Sequence, residues 1–281
     1  RDVGHEVAHR PAPVAAHVRG GQRAGVDIGA HRVRVVQAAC AGRHHPHAAD
    51  AENPYLELFT SVVGSQADLV ARWMLLGFIH GVMNTDNTTI SGETIDYGPC
   101  AFMDTFDPAT VFSSIDTGGR YAYANQPPVL QWNLARFAET LVPLIDPDPE
   151  EAVRLLTEVL NTSPERYQQA WTAGMRDKLG LSAEVPDAEA DDLIEELSRL
   201  LNATRPDHTG FFRALGAAAA GDNAPVREHV GTLAEGWLST WRALGPDQGS
   251  MARANPLYIP RNHLVEEALD AARELVVAQG W

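Results

Sequence analysis

The first regular pattern along the chain is a run of apolar residues at helical spacing that starts after Asn53. Apolar positions recur every three or four residues from Leu56 to Met74, as one buried face of an α-helix requires. The last stretch, Trp73 to Ile79, is apolar on every side, which predicts that it is buried. Gly81 is the predicted end of this helix, because glycine readily adopts the left-handed conformation that closes one.

Two short β-branched segments follow the predicted helix. They are Thr88–Ile90 and Glu93–Gly98, and a Ser-Gly pair separates them. Such runs on either side of a glycine-containing turn are typical of a β-hairpin. We therefore expect one small hairpin between Thr88 and Gly98.

After residue 124 the pattern predicts a succession of helices. One start is marked by Asp148 as N-cap, Pro149 in the first helical position and Glu151 three residues after the cap. Another helix is predicted to begin at Ser163 and to end at Gly180. No repeat of fixed period is present. The predicted fold class is mainly α, with the small hairpin as its β-structure.

The first fifty residues differ in composition from the rest. They contain seven of the eleven histidines and seven arginines but no Leu, Phe, Tyr, Trp, Met or Lys. So little bulky apolar surface cannot offset the entropy of ordering, although Arg32–Gln37 alternates like a strand. We expect residues 1–50 to be a poorly structured leader and residues 51–281 to be a helical lobe. The histidines His44, His45 and His47 could bind a metal, but a flexible polar segment is the favoured interpretation.

Composition and charge exclude several classes of protein. The chain of 281 residues is 44% apolar and 21% charged, which is ordinary for a globular protein. Its formal net charge of −15 argues against binding a nucleic-acid backbone. No apolar run approaches the roughly 20 residues of a membrane span. Two cysteines, Cys40 and Cys100, form no disulfide framework or zinc pattern, so a reducing, cytoplasmic location is predicted.

The segment His80–Gly98 carries the candidate chemistry. Asp86 and Asn87 are adjacent in the predicted turn, and Asp96 comes near the end of the predicted hairpin. Phosphotransfer enzymes of the kinase type use one Asp to deprotonate the attacking hydroxyl, and an Asn and a second Asp to hold the metal that bridges the phosphates. Hard oxygen ligands suit Mg²⁺ or Mn²⁺.

Structural alternatives exist for each of these residues. Asp and Asn in turns commonly bond to nearby backbone, and His80 is more often a satisfied histidine at a helix end than a catalytic base. The kinase pattern H-R-D-x-x-x-x-N is absent, since Asn87 follows Asp86 directly. The segment Asp116–Tyr121 could cradle a phosphate on glycine amides with Arg120 as countercharge, or it could be an ordinary loop.

Five blocks of sequence resemble the selenoprotein O/YdiU family of kinase-like protein adenylyltransferases. They are GFIHGVMNTDN, TIDYGPCAFMD, DTGGRYAYANQPP, WNLARFAETL and NPLYIPRN, in the family's order, between about Asn53 and Gln279. The resemblance implies a protein-kinase-like C-lobe, in a family that is α+β as a whole. It implies transfer of AMP from ATP to Ser, Thr or Tyr hydroxyls of proteins, with Mg²⁺ or Mn²⁺. Asp86 matches the proton acceptor, Asn87 and Asp96 match the metal ligands, and Asp96 also contacts the nucleotide.

The chain departs from the family pattern at both ends. Family members are longer and begin with a lobe that carries a Gly-rich segment, a Lys in a K-G-A-G-R-T-like block and phosphate-gripping arginines. These blocks are missing here, the only lysine is Lys178, and the C-terminal selenocysteine or cysteine is also absent. We expect a truncated C-lobe whose transfer activity is impaired. The alternatives are a catalytically inactive remnant or binding module and, third, an ordinary kinase that uses the γ-phosphate.

Overall fold

The structure is a computed structural model that describes residues 41–278. Most of this part is helical, which confirms the predicted mainly α fold class. The ten longer helices are α1 (Pro54–Leu76), α2 (Gln126–Ile145), α3 (Pro149–Leu160), α4 (Ser163–Leu179), α5 (Asp187–Thr204), α6 (His208–Ala219), α7 (Ala224–Val230), α8 (Glu235–Ala243), α9 (Gln248–Ala254) and α10 (Asn262–Ala278). The two strands are β1 (Phe78–Ile79) and β2 (Ala101–Phe102).

Helix α1 is the central element of the lobe. Asn53 caps its start by accepting a hydrogen bond from the Leu56 N–H at 3.2 Å. The helix packs most extensively against α4 and also contacts α2 and α3. Its end is Gly77, which is left-handed with φ of 72°, so the prediction of Gly81 is wrong. The apolar run continues as strand β1, because periodicity alone does not distinguish a buried helix from a short buried strand.

The β-structure lies outside the segment where the sequence predicts it. Strands β1 and β2 pair antiparallel, with Phe78 opposite Phe102. Between Thr88 and Gly98, only one antiparallel bridge forms, between Thr88 and Thr94. The Thr89 hydroxyl donates to the Glu93 carbonyl at 2.8 Å and accepts from the Glu93 N–H at 3.0 Å. A side chain therefore satisfies backbone groups that a hairpin ladder would pair, and the predicted hairpin is wrong in extent.

The packed lobe begins before residue 51. Ala41 and Ala48 are buried, and His45 is buried with its Nε2 bonded to the Ile90 carbonyl at 2.7 Å. The expectation of a poorly packed leader is therefore wrong for residues 41–50, and its remainder, with Cys40 and the strand-like Arg32–Gln37, lies outside the described residues. Two of the three histidines that could have bound a metal are bonded to protein groups. His45 bonds to the Ile90 carbonyl, and His47 Nε2 lies 2.9 Å from the Ser61 hydroxyl.

Within residues 41–278, no helix is both long enough and apolar enough to cross a membrane.

The C-terminal helices are joined to the rest by buried polar contacts. The indole N–H of Trp241 donates to the Leu179 carbonyl at 2.8 Å, and that of Trp237 donates to the Leu193 carbonyl at 2.9 Å. Arg261 bridges the carboxylates of Asp104, at 2.5 Å, and Asp207. This ion-pair network connects the segment after β2 to the start of α6 and to the segment before α10.

Lys178, the only lysine of the chain, is buried at the end of α4. Its ammonium lies over the ring of Phe212, 3.9 Å from the centroid. Burial lowers the pKa of Lys178 to about 7. Burial, together with the nearby Lys178 charge, also lowers the pKa of His208 to about 3. The fold therefore disfavours the charged form of both side chains.

This burial predicts a pH-dependent stability that Lys178→Met removes. Between pH 7 and about 10.4 the unfolded chain binds a proton at Lys178 that the folded chain does not, so stability rises with pH across this window. Below pH 7 both states carry the proton, and the folded state bears the full cost of a buried charge. We expect Lys178→Met to raise the melting temperature by about 5 °C at pH 6, and by less at pH 9. Calorimetry of Arg199→Met, at an exposed cation, is the control, and an equal effect of Lys178→Met at both pH values would contradict the account.

Candidate active site

His80 is the buried anchor of the candidate site. Its backbone N–H donates to the Gln126 side-chain oxygen at 3.0 Å, and the Gln126 amide donates to the Phe78 carbonyl at 3.0 Å. The His80 Nε2 bonds to the Ile95 carbonyl at 2.8 Å. Because a carbonyl only accepts, Nε2 carries the proton and Nδ1 is left to accept from the Val82 N–H at 3.4 Å. These partners favour the structural interpretation of His80 over a catalytic base.

Asp86 and Asn87 lie in a short 3₁₀ helix, Thr85–Asn87. The Asn87 side-chain N–H donates to the Val82 carbonyl at 3.0 Å, which leaves its amide oxygen as the atom available to a cation. Asp86 is exposed. Its carboxylate makes no hydrogen bond to other residues in the described part of the chain. This arrangement suits a carboxylate that meets a substrate hydroxyl.

Asn133 on helix α2 holds the loop that carries Asp86 and Asn87 in place. Its side-chain N–H group donates to the Met83 carbonyl at 3.1 Å and to the Thr88 hydroxyl at 2.8 Å. The side chain of Gln66, on α1, donates to the Thr89 carbonyl. The loop is thus fixed before and after Asp86 and Asn87 by amides from two different helices.

Asp96 adopts a left-handed backbone conformation with φ of 54°. Within residues 41–278, Arg205 is the only other non-glycine residue with a positive φ. Such a conformation costs about 1 kcal/mol or more outside glycine and is often retained at functional sites. The neighbouring Ile95 carbonyl is held by His80, and Thr94 accepts from the Trp73 indole at 2.9 Å. Asp96, which is exposed, therefore follows a segment that hydrogen bonds from His80 and Trp73 hold in place.

The Thr88–Thr94 bridge brings the two segments of the site together. Counting outward from the bridge, Asn87 and Ile95 come next, followed by Asp86 and Asp96. Each candidate residue therefore lies within two positions of a point where the segments touch. No hydrogen bond directly joins the three candidate side chains among the residues that the structure describes.

The donor set fits a hard divalent cation. It consists of the Asp96 carboxylate and the Asn87 amide oxygen, and oxygen ligands of this kind are the ones that Mg²⁺ and Mn²⁺ prefer. Groups of three or more His, Cys, Asp or Glu side chains placed to bind a metal do not occur in residues 41–278. Burial, with a smaller contribution from the Asp96 charge, raises the pKa of the Cys100 thiol. Cys100 is thus poorly suited to act as a thiolate nucleophile.

The loop Asp116–Tyr121 is closed by one of its own side chains. The carboxylate of Asp116 accepts from the backbone N–H groups of Arg120, at 2.8 Å, and Tyr121, at 2.7 Å. The Gly119 N–H, one of the glycine amides in question, donates to the Asp116 backbone carbonyl at 3.2 Å. An ordinary loop is the better interpretation, because that amide is already bonded and the Asp116 carboxylate would repel a phosphate. The Tyr121 hydroxyl donates to the Asn84 side chain at 2.6 Å, which connects this loop to the one that carries Asp86.

Sequence reasoning missed the two amides that support the site from α2, Gln126 and Asn133. Both are buried, and the position of Asn133 follows a pattern that is visible in the sequence. Asn133 lies in line with Leu130 and Phe137 on the apolar face of the helix, and a polar residue on such a face needs a hydrogen-bond partner. The spacing of apolar residues along the helix does not indicate which groups Asn133 bonds to.

Comparison with known proteins gives a consistent family. The sequence profile of the family "Protein adenylyltransferase SelO" matches residues 16–275. "Protein nucleotidyltransferase YdiU" of Mycolicibacterium smegmatis is 62% identical over 230 residues, which are 82% of this chain and 46% of the relative. The protein of that name from Mycobacterium sp. (strain KMS) is 57% identical over 92% of this chain and 54% of the relative. The one from Cereibacter sphaeroides (strain ATCC 17023) is 53% identical over the same shares.

The region that matches the family begins earlier in the chain than the five sequence blocks indicate. It begins at residue 16, whereas the blocks place its start near Asn53, so the expectation that the leader is unlike the family is wrong from that point. The chain spans about half the length of the curated relatives it matches. With a profile match across most of its residues and relatives above 50% identity, the chain belongs to the SelO/YdiU family of protein adenylyltransferases.

Proposed function

We propose that this lobe carries the catalytic loop for transfer of AMP from ATP to Ser, Thr or Tyr hydroxyls of proteins. The observation that carries the proposal is the junction at Thr88 and Thr94, where the segment with Asp86 and Asn87 meets the segment with Asp96. The family membership supports ATP as the substrate and adenylyl transfer as the reaction. The lobe is proposed to correspond to the C-lobe of a protein kinase.

In this proposal each residue has one chemical role. Asp86 accepts the proton of the attacking hydroxyl, whose oxygen forms a bond to the α-phosphorus of ATP. The bond between that phosphorus and the bridging oxygen breaks, and pyrophosphate leaves. Asn87 and Asp96 would hold Mg²⁺ or Mn²⁺, which neutralises charge on the phosphates. The buried His80 positions Asp96 by fixing the Ile95 carbonyl.

The reaction is tested with ATP labelled on either the α- or the γ-phosphate. Since the curated relatives are about twice as long as the region they share with this chain, the assay uses a chimera in which the part of the M. smegmatis relative outside the shared region is joined to this chain. The chain by itself, for which the sequence predicts impaired transfer, is measured in parallel. We expect only the α-label to reach protein. Transfer of the γ-label would indicate an ordinary kinase, and no transfer with either label would favour an inactive remnant or binding module.

Asp96→Asn in this chimera tests the metal ligand. Asparagine tolerates the left-handed conformation of Asp96 better than alanine does, so the change removes charge with little backbone strain. We expect transfer to fall by more than about 100-fold, because losing even an outer-shell partner of a metal can cost that much. Binding of Mn²⁺-ATP should weaken as well. Asp68→Asn, at an exposed position on α1, is the matched control, and normal transfer by Asp96→Asn would refute the metal assignment.

Asp86→Asn tests the proton acceptor separately. A general base contributes about 10²- to 10⁴-fold to a rate, so kcat should fall by that order. The Kd for Mn²⁺-ATP, measured by calorimetry, should stay within about twofold of the wild-type value, because Asp86 is not a proposed ligand. A weakened Kd with little loss of kcat would show that the roles of Asp86 and Asp96 are assigned the wrong way round.

A further inference from the structure

An exposed tryptophan, with two arginine guanidinium groups over its ring, lies beside the candidate site. The guanidinium of Arg120 is 4.7 Å from the ring centroid of Trp132, and that of Arg136 is 5.5 Å from it. Trp132 is 44% exposed, which is unusual for so large an apolar side chain without a partner. We call the surface formed by Arg120, Trp132 and Arg136 the arginine–tryptophan face. Stacking on an aromatic ring holds both cations in place before any ligand arrives.

Two contacts connect this face with the loop that carries Asp86. Arg120 also lies over the ring of Tyr121, at 5.6 Å, and the Tyr121 hydroxyl bonds to Asn84. On its other side, Arg136 lines a cavity of about 360 Å³ between that loop and α2. Thr85 and Thr88, which flank Asp86 and Asn87, line the same cavity. A polypeptide with a hydroxyl at Asp86 would therefore have its neighbouring residues close to this face.

The charge of the face is opposite to that of the chain as a whole, which is −15. In residues 41–278, no carboxylate lies within salt-bridge distance of the Arg120 guanidinium. The nearby Asp116 is engaged by backbone N–H groups. Arg136 pairs with Glu139 at 2.6 Å, and the two side chains are 42% and 35% exposed. A pair this accessible to water contributes little and is readily exchanged. The face therefore offers two ordered cations to an incoming anion.

Asn133 adds a second requirement on the ligand. It lines the cavity and is only 3% exposed, yet its side-chain oxygen has no hydrogen-bond partner within the described part of the chain. A buried acceptor of this kind needs a donor. A polypeptide carries backbone N–H donors beside its carboxylates, whereas the N–H donors of a nucleic acid are on its bases, away from the phosphates. The combination favours an acidic polypeptide over a nucleic acid.

We propose that the arginine–tryptophan face and the adjoining cavity dock an acidic segment of the protein substrate, next to the hydroxyl that receives AMP. Glutamate or aspartate side chains pair with Arg120 and Arg136, and the donor of a neighbouring residue enters the cavity toward Asn133. The proposal rests on the proposed function, because it identifies the class of protein that the same site modifies. It makes Arg120 and Arg136 determinants of specificity and not catalytic residues.

The docking proposal is tested by fluorescence anisotropy without ATP. The probe is a short fluorescein-labelled peptide with a central tyrosine flanked by glutamates, and the comparison peptide has glutamines in their place. We expect the full chain to bind the glutamate peptide at least about tenfold more tightly, in spite of its own negative charge. Arg120→Gln should weaken this binding about tenfold, and the double change with Arg136→Gln should weaken it further. Arg154→Gln, at an exposed arginine on α3 paired with two glutamates, is the matched control.

The outcomes separate this proposal from the proposed function. Equal binding of both peptides, or equal loss in Arg154→Gln and Arg120→Gln, overturns the docking site. Tighter binding of a single-stranded oligothymidylate, lost in Arg120→Gln, overturns the choice of a polypeptide. Selective binding of the glutamate peptide without any transfer of the α-label leaves the docking site standing and refutes the adenylyl-transfer proposal. Transfer of the α-label with no preference for the glutamate peptide refutes the docking site and leaves the adenylyl-transfer proposal standing.

Discussion

The buried hydrogen bonds of His80 and Gln126 are the constraint on which the candidate site depends. Both side chains are fully buried, and their polar groups are paired with backbone groups of β1 and of the segment that leads to Asp96. An unpaired polar group at such depth costs about 1 to 3 kcal/mol. Moving the segment before Asp86, the start of α2 or the Ile95 carbonyl would therefore leave a buried polar group without its partner. These contacts, with the Thr88–Thr94 bridge, hold the segment of Asp86 and Asn87 next to the segment that carries Asp96.

The helical part of the fold could be predicted because it follows local rules. Asp148 caps α3, Ser163 begins α4, and the left-handed Gly180 ends it, as the sequence patterns indicate. The boundary at Gly77 and the short strands could not be found in this way. Phe78 and Ile79 pair with a segment more than twenty residues away, and apolar periodicity contains no information about that partner. The hairpin prediction failed for a related reason, since the Thr89 hydroxyl replaces the backbone ladder.

The candidate site could be predicted only as far as residue types suggest chemistry. Two acids and an asparagine in one polar segment indicate a hard-metal site, and the structure places their segments in contact. Two of the supporting residues, Gln126 and Asn133, lie 40 or more positions after Asp86, and they are recognised only by the contacts they make. The left-handed backbone conformation of Asp96 could not be predicted from the sequence either, because aspartate is common in turns of every kind. The arginine–tryptophan face combines Arg120 with two residues of α2, which spacing along one helix does not reveal.

We propose that His80 holds Asp96 where it would share a cation with Asn87. Paramagnetic broadening by Mn²⁺ in the presence of ATP tests it most directly, with NMR signals of the Asn87 side-chain amide and the Asp96 backbone amide as reporters. We expect both signals of the wild-type chain to broaden together at substoichiometric Mn²⁺. We also expect that in His80→Phe, which removes the bond to Ile95, the Asp96 signal no longer broadens with that of Asn87. Broadening of Asn87 without Asp96 in the wild type, or an unchanged pattern in His80→Phe, would contradict the account.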